Sequence, residues 1–106
     1  MSKYKAVPTA IDGVIFASKK EAARYAELKM LLKIGLIKDL QLQPRFPLVV
    51  NGIKVCEYRG DFRYMTKDEA DVIEDVKSVA TKTVVYRLKS KLFHALYPHL
   101  RITEII

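Results

Sequence analysis

Residues 72–78 read VIEDVKS. Val72, Ile73, Val76 and the following Val79 predict a buried strand, yet Glu74, Asp75 and Lys77 put three charges at its centre. A lone ionised group in an apolar interior is costly, so such groups are paired, metal-bound or neutralised. Side chains alternate across a strand. Asp75 and Lys77 therefore share one face, while Glu74 shares the other with Val72 and Val76.

The flanking sequence supplies partners for this strand. A polar turn, TKDEAD (66–71), joins it to an alternating segment over 53–65. There Val55, Glu57, Arg59, Asp61 and Arg63 fall on one parity, with Cys56, Tyr58 and Phe62 on the other. Asn51-Gly52, a strong hairpin signal, connects that segment to an extended stretch over 39–50. Pro44 and Pro47 place this stretch at an edge or bend it. Upstream, Ser18-Lys19-Lys20-Glu21 is a capping box opening a helix with Ala22, Tyr25, Leu28 and Leu32 at helical spacing and Gly35 as its C′ residue. Asp12-Gly13 within IDGVIF (11–16) predicts a small hairpin, preceded by an irregular basic lead-in over 1–10. Downstream, a helix is expected from Thr81 to about Tyr97, where Pro98 stops it. Val85, Leu88, Leu92, Phe93 and Leu96 form its apolar stripe, with Lys82, Lys89 and Lys91 largely off it. LRITEII (100–106) closes the chain as a short strand. The order is helix, three strands, helix, strand: one mixed α/β domain over 1–106.

Bulk properties narrow the function classes. Nineteen Lys+Arg against twelve Asp+Glu give a net charge of +7, which favours polyanionic partners without singling out nucleic acid. The single cysteine, Cys56, cannot form an internal disulfide; it reads as a small buried thiol in a protein of the reducing cytoplasm. No apolar run exceeds four residues, so no signal peptide or membrane span is expected.

If the 53–65 and 71–79 strands are neighbours, Asp61 and Asp75 converge at adjacent ends of the sheet. Two carboxylates alone repel, and one takes up a proton. A divalent cation removes the conflict, and hard carboxylate oxygens suit Mg²⁺. A lysine beside them could orient or deprotonate an attacking water, or stabilise charge developing on a phosphate. The pattern acid-x-Lys is not specific by itself: Glu27-Leu28-Lys29 repeats it inside a helix. Its setting at 75–77 is the distinguishing feature.

This arrangement resembles the PD-(D/E)XK nuclease superfamily, whose core is a helix, a three-strand meander, a helix and a further strand. Asp61 stands at the first acid position, Asp75 at the second, Lys77 at the lysine position, and Glu21 at the extra acid that many members carry on the first helix. The pattern DGVIFASKKEAARYAEL, LQLQPRFPL, GDFRY, EDVKS and VYRLKSKLF is similar to small phage-encoded members related to Holliday-junction resolvases. Gly60, rather than proline, precedes Asp61. The resemblance implies a restriction-endonuclease-like core with a small mixed β-sheet flanked by helices. It implies a metal-dependent endodeoxyribonuclease using Mg²⁺, or Mn²⁺, on branched or duplex DNA, working as a homodimer in a bacterial host's cytoplasm. Asp61, Asp75 and Glu21 would serve the metal, and Lys77 would join them in catalysis. Lys19, Lys20, Lys82, Tyr86 and Lys89 would contact DNA.

Each residue also has a plainer role. Glu21 sits at N3 and could simply cap its helix. Asp61 could be an exposed strand-end carboxylate paired with Arg59 or Arg63, and Asp75 with Lys77 a cross-strand ion pair. Glu74 reads as the partner of a nearby base. Tyr86 and Lys89 share a helix face that could be merely solvated. Lys19, Lys20 and Arg24 crowd a helix N-terminus, where the dipole disfavours cations unless an anion faces them. His94 and His99 are too isolated for a zinc site or a triad. Two other functions stay open: a DNA-binding accessory that keeps the fold with little or no cleavage, and a structural module.

Overall fold

The structure, a computed structural model, describes residues 7–78 and 80–106. The lead-in at 1–6 and the strand assignment of Val79 lie outside them. The architecture is mixed α/β: a small mixed sheet with a helix on either face. Thr9–Ile11 (β1) and Val14–Phe16 (β2) form the expected hairpin, so strand begins within the stretch expected to be irregular. Asp12 and Gly13 both adopt positive φ, as a two-residue hairpin turn demands.

Lys19–Lys33 forms α1. Ser18 Oγ accepts the Glu21 amide at 3.1 Å, satisfying one of the free N–H groups at the helix start. At the other end Gly35 takes φ +82°. Its amide bonds Leu32 O while the Leu36 amide bonds Leu31 O, the paired bonds of a Schellman stop. Ala22, Tyr25 and Leu28 are buried as the spacing predicts, whereas Leu32 is left exposed.

The two long strands expected on either side of Asn51-Gly52 are each broken in two. The first becomes Ile37–Leu42 (β3) and Arg45–Val50 (β4); the second becomes Ile53–Arg59 (β5) and Phe62–Thr66 (β6). The breaks face each other. Gln43 N–H donates to Asp61 O at 2.9 Å and Gly60 N–H to Pro44 O at 3.0 Å, so hydrogen bonding continues across the bend. Proline lacks an N–H for the ladder, and Gly60 lies so close to Ile73 and Pro44 that a Cβ would meet their side-chain atoms at 3.2 and 3.4 Å. Beyond the bend, β4 and β5 separate as a two-stranded arm, while β3 and β6 stay in the main sheet.

Asp71–Val76 (β7) pairs antiparallel with β6 and parallel with Ile102–Ile105 (β8), giving the order β3-β6-β7-β8. The parallel step is made through a helix, Val84–Leu96 (α2), capped by Thr83 Oγ1 on the Tyr86 amide at 3.1 Å. The helix thus starts three residues later than Thr81, whose hydroxyl instead accepts the Ser78 amide.

The alternation of β7 divides two cores. On one face Phe62, Tyr64 and Val76 pack with Phe16, Tyr25 and Leu28 from β2 and α1. On the other, Ile73 packs with Phe46, Leu48 and Tyr58 from the arm and with Tyr86 and Phe93 from α2. The apolar stripe expected on α2 is rotated. Tyr86 and Phe93 are its buried residues, while Val85 and Leu88 are 61% and 62% exposed. Seven residues apart, the two rings lie on one helix face, and Phe93 meets the aromatic rings of Phe46 and Tyr58. Cys56 is half-buried against this second core. His94 Nε2 accepts the Ile102 amide at 3.2 Å, a packing role that ties α2 to β8. Among the described residues no helix is long and apolar enough to cross a membrane.

Candidate active site

The three charges of β7 have separate explanations. Glu74, 1% exposed, faces α1 and is held by Arg24 through Nε at 2.7 Å and Nη2 at 2.6 Å, with the Tyr64 hydroxyl donating to the same carboxylate. Arg24 gains from the bonds to Glu74 and is held above the usual guanidinium range. Glu74 is thus the partner of a base, and Arg24 near the helix start faces the anion its placement required.

Asp75, 3% exposed, faces α2. Its Oδ1 lies 3.0 Å from Lys77 Nζ, and its Oδ2 accepts the Tyr58 hydroxyl at 2.7 Å. Burial and the Asp75 charge push the Tyr58 hydroxyl far up, which keeps it a donor. As strand parity requires, Asp75 and Lys77 share a face, and Glu74 is turned from it.

Asp61 sits in the bend between β5 and β6. Its amide bonds Glu74 O at 2.9 Å, which sets it at the end of β6 beside Asp75. Its Oδ2 accepts the Val76 amide at 2.6 Å. The simple pairing with Arg59 or Arg63 is not formed; Arg63 instead holds Asp71 through bonds of 3.0 and 2.7 Å. Burial, then the Asp75 and Glu21 charges, push Asp61 up to about 7 against the opposing pull of the Val76 amide. Glu21 reaches the same end of the sheet from α1. Burial raises it, with Asp75 adding to the effect and the Ala17 amide, Lys77 and Arg59 opposing it. The Ser18 cap uses the Glu21 backbone amide, while the Glu21 carboxylate is acted on by the Ala17 amide.

Lys77 lies between two clefts. One, of about 490 Å³, is lined on its charged side by Arg45, Glu57, Arg59, Asp75, Lys77 and Lys89, with Arg45 lying 3.7 Å from the Glu57 carboxylate. The other, of about 250 Å³, runs along the α1 N-terminus and includes Glu21, Lys20 and Lys77. The expected DNA contacts are placed unevenly. Lys19 is exposed, and Lys89 lines the larger cleft. Lys20 Nζ donates to Lys77 O at 3.0 Å, and Lys82 is paired with Glu104 at 2.9 Å. Tyr86 differs from its expected outward role: it is buried, its hydroxyl donates to Glu104 Oε2 at 2.8 Å, and it forms a wall of the cleft.

Sequence reasoning did not single out Tyr58, Arg45, Arg59 or Glu104. Tyr58 carried a signal in the apolar parity of its strand, since a buried tyrosine hydroxyl needs a partner. The arginines become neighbours of the site only through the bend.

Chemically, the site gathers carboxylates, and Asp61 is raised by burial first and by the Asp75 and Glu21 charges second. Such a pair of hard oxygen donors suits a divalent cation. Both Asp75 oxygens, however, already accept from Lys77 and Tyr58. Among the described residues no group of three or more His, Cys, Asp or Glu side chains is placed to hold a metal ion. Asp61 and Asp75 stay together at the sheet end, with Glu21 at its edge.

Fold and site together define a mixed α/β protein with an acidic-lysine cluster at one end of its sheet, inside a basic-rimmed cleft. The chain belongs to the DUF1064 family, described as a protein of unknown function, whose family model matches residues 1–106. No curated protein and no solved structure matches it.

Proposed function

We propose that the chain is a metal-dependent endodeoxyribonuclease of the PD-(D/E)XK type, with a restriction-endonuclease-like core, selective for Holliday junctions or other branched DNA. The observation that carries this reading is the meeting of Asp61, Asp75 and Lys77 on one face of the sheet end, beside a cleft bearing Arg45, Arg59 and Lys89. Asp75 is buried and the Lys77 side chain is 15% exposed; taking such a pair out of water offsets much of its attraction, so fold stability alone is a weak reason for it.

Asp61 and Asp75 would hold Mg²⁺ or Mn²⁺, with Glu21 assisting. A bound cation supplies charge neutralisation at the phosphate and a more acidic water. Lys77 orients the attacking water and balances the charge that builds on the phosphate. Arg45, Arg59 and Lys89 bind backbone phosphates along the cleft. One chain offers one such centre, and symmetric nicking of a four-way junction calls for two, which favours a homodimer.

A second reading, a DNA-binding protein with little or no cleavage, draws on Tyr58 and Lys77 occupying both Asp75 oxygens. A cleavage assay on four-way junctions, forks, flaps and plain duplex, in Mg²⁺ and in EDTA, separates them. Magnesium-dependent cuts, most frequent on a branched substrate, support the nuclease. Tight binding to the same DNAs without cuts in either buffer supports the accessory protein.

A further inference from the structure

Lys77 and Asp75 are each held by a tyrosine, from different elements and by different chemistry. The Lys77 ammonium lies 4.1 Å from the centroid of the Tyr86 ring while it contacts Asp75 Oδ1 at 3.0 Å. A lysine ammonium ends a flexible four-carbon stem and ordinarily samples many positions. Here it is caught between a carboxylate and the electron-rich face of a ring, a cation–π contact that gains strength where water is excluded. The ring is itself fixed. Its hydroxyl donates to Glu104 Oε2, and Lys82 holds the other Glu104 oxygen. Glu104 stands directly across the parallel β7-β8 register from Asp75. On the other side, the buried Tyr58 hydroxyl donates to Asp75 Oδ2, and its ring is packed between Phe46 and Phe93.

We infer that Tyr86 and Tyr58 are positioning residues of the active site, Tyr86 fixing the Lys77 ammonium by its ring face and Tyr58 fixing the Asp75 carboxylate by its hydroxyl. The inference deepens the nuclease reading and rests on it for its kinetic consequences, though the clamp itself is a property of the folded chain. The two tyrosines make opposite demands. At position 86 the ring is required and the hydroxyl serves only to anchor it. At position 58 the hydroxyl is required and the ring serves only to pack.

NMR of the unmodified protein, free of metal and DNA, tests the clamp first. The Lys77 Hε protons, lying over a ring face, are expected upfield of those of the other lysines; an unshifted Lys77 signal overturns the clamp without any variant. Tyr86→Leu is expected to return that signal to the ordinary lysine position and Tyr86→Phe to restore it. In cleavage kinetics, Tyr86→Leu and Tyr58→Phe should each lower kcat about tenfold or more, because small misplacements of reacting groups are costly, with KM changed less than about threefold. Tyr86→Phe should recover most of the rate lost in Tyr86→Leu. Losses that appear in KM alone, or equal rates in Tyr86→Leu and Tyr86→Phe, overturn the positioning role. If the unmodified protein cuts none of the DNAs, the nuclease reading falls, and the Lys77 shift still decides the clamp.

Discussion

Arg24 grips Glu74 with two short hydrogen bonds across fifty residues of sequence, on the face of β7 opposite the Asp75-Lys77 pair. A carboxylate so deeply buried depends on that guanidinium. Arg24→Met should therefore destabilise the fold by about 3 kcal/mol, because it leaves Glu74 buried without its cation. Arg24→Met combined with Glu74→Leu, which removes both charges, should recover much of the loss. Urea denaturation measures both; a single variant within about 0.5 kcal/mol of the parent, the ordinary range of surface changes, would contradict the assignment.

The Asp61 carboxyl gives the fold a pH dependence with a definite sign. Its folded pKa is raised from 3.8 to about 7, so the folded chain binds this proton more tightly than the unfolded chain. The associated stability is fully present below about pH 4, is lost as pH rises through about 7 and changes no further above that. Asp61→Asn keeps an oxygen for the Val76 amide and lacks the charge. In EDTA it should match the parent near pH 4 and exceed it above pH 7 by on the order of 2 kcal/mol, allowing for solvent screening. Melting temperatures across pH 4–8 check this, and a constant difference between the two proteins contradicts it.

The Ser18 hydroxyl engages the backbone amide of Glu21 and not its side chain. Since Ser18 Oγ binds the backbone amide of residue 21, Glu21→Gln should leave the melting temperature within about 2 °C. Cleavage should fall by about tenfold or more if the carboxylate serves the metal, an effect within the range of other acid–base residues. Unchanged cleavage would reduce Glu21 to a helix-cap residue.

Affinity for DNA should come from cations that are free to meet phosphates. Lys82 is paired with Glu104, so its neutralisation should matter little, whereas Arg59 and Lys89 line the cleft. Replacing Arg59 and Lys89 together by alanine should lower the slope of log K against log salt by about 1 to 2 units, at roughly 0.9 per phosphate contact. Lys77→Ala should change affinity by only a few-fold. Equilibrium binding to a four-way junction in Ca²⁺ over a range of salt separates these outcomes. An equal loss in Lys77→Ala would make Lys77 a docking residue.

Local pattern carried much of this structure. The Ser18 half of the capping box, Gly35 and the two turns over Asp12-Gly13 and Asn51-Gly52 depend on neighbouring residues alone, and these formed where expected. Alternation along β7 separated Glu74 from Asp75 correctly, because side-chain parity needs no tertiary information. The bends at Pro44 and Gly60 were harder to read. Each residue is an ordinary irregularity by itself, and only their mutual hydrogen bonds turn the arm away and bring Arg45 and Arg59 to the cleft. The α2 stripe held at Phe93 and Leu92 but not at Val85 and Leu88, for a similar reason. Leucine and valine spacing defined one face, but the arm and sheet offered partners to the Tyr86 ring, which took the core in place of Val85 and Leu88. Clamping of Lys77 by Tyr86 depends on that rotation, so the sequence could suggest a tyrosine on this helix without its inward direction.

The central claim, that Asp75 rather than Glu74 belongs to the reactive face, has one direct test. Single-turnover cleavage of a fixed four-way junction in Mg²⁺ is measured for the unmodified chain, Asp75→Asn and Glu74→Gln, at a temperature where circular dichroism shows all three folded. The account predicts that Asp75→Asn loses nearly all cleavage, while Glu74→Gln, though less stable, cuts at a rate within a few-fold of the unmodified chain. Cleavage that survives Asp75→Asn and disappears in Glu74→Gln would contradict it.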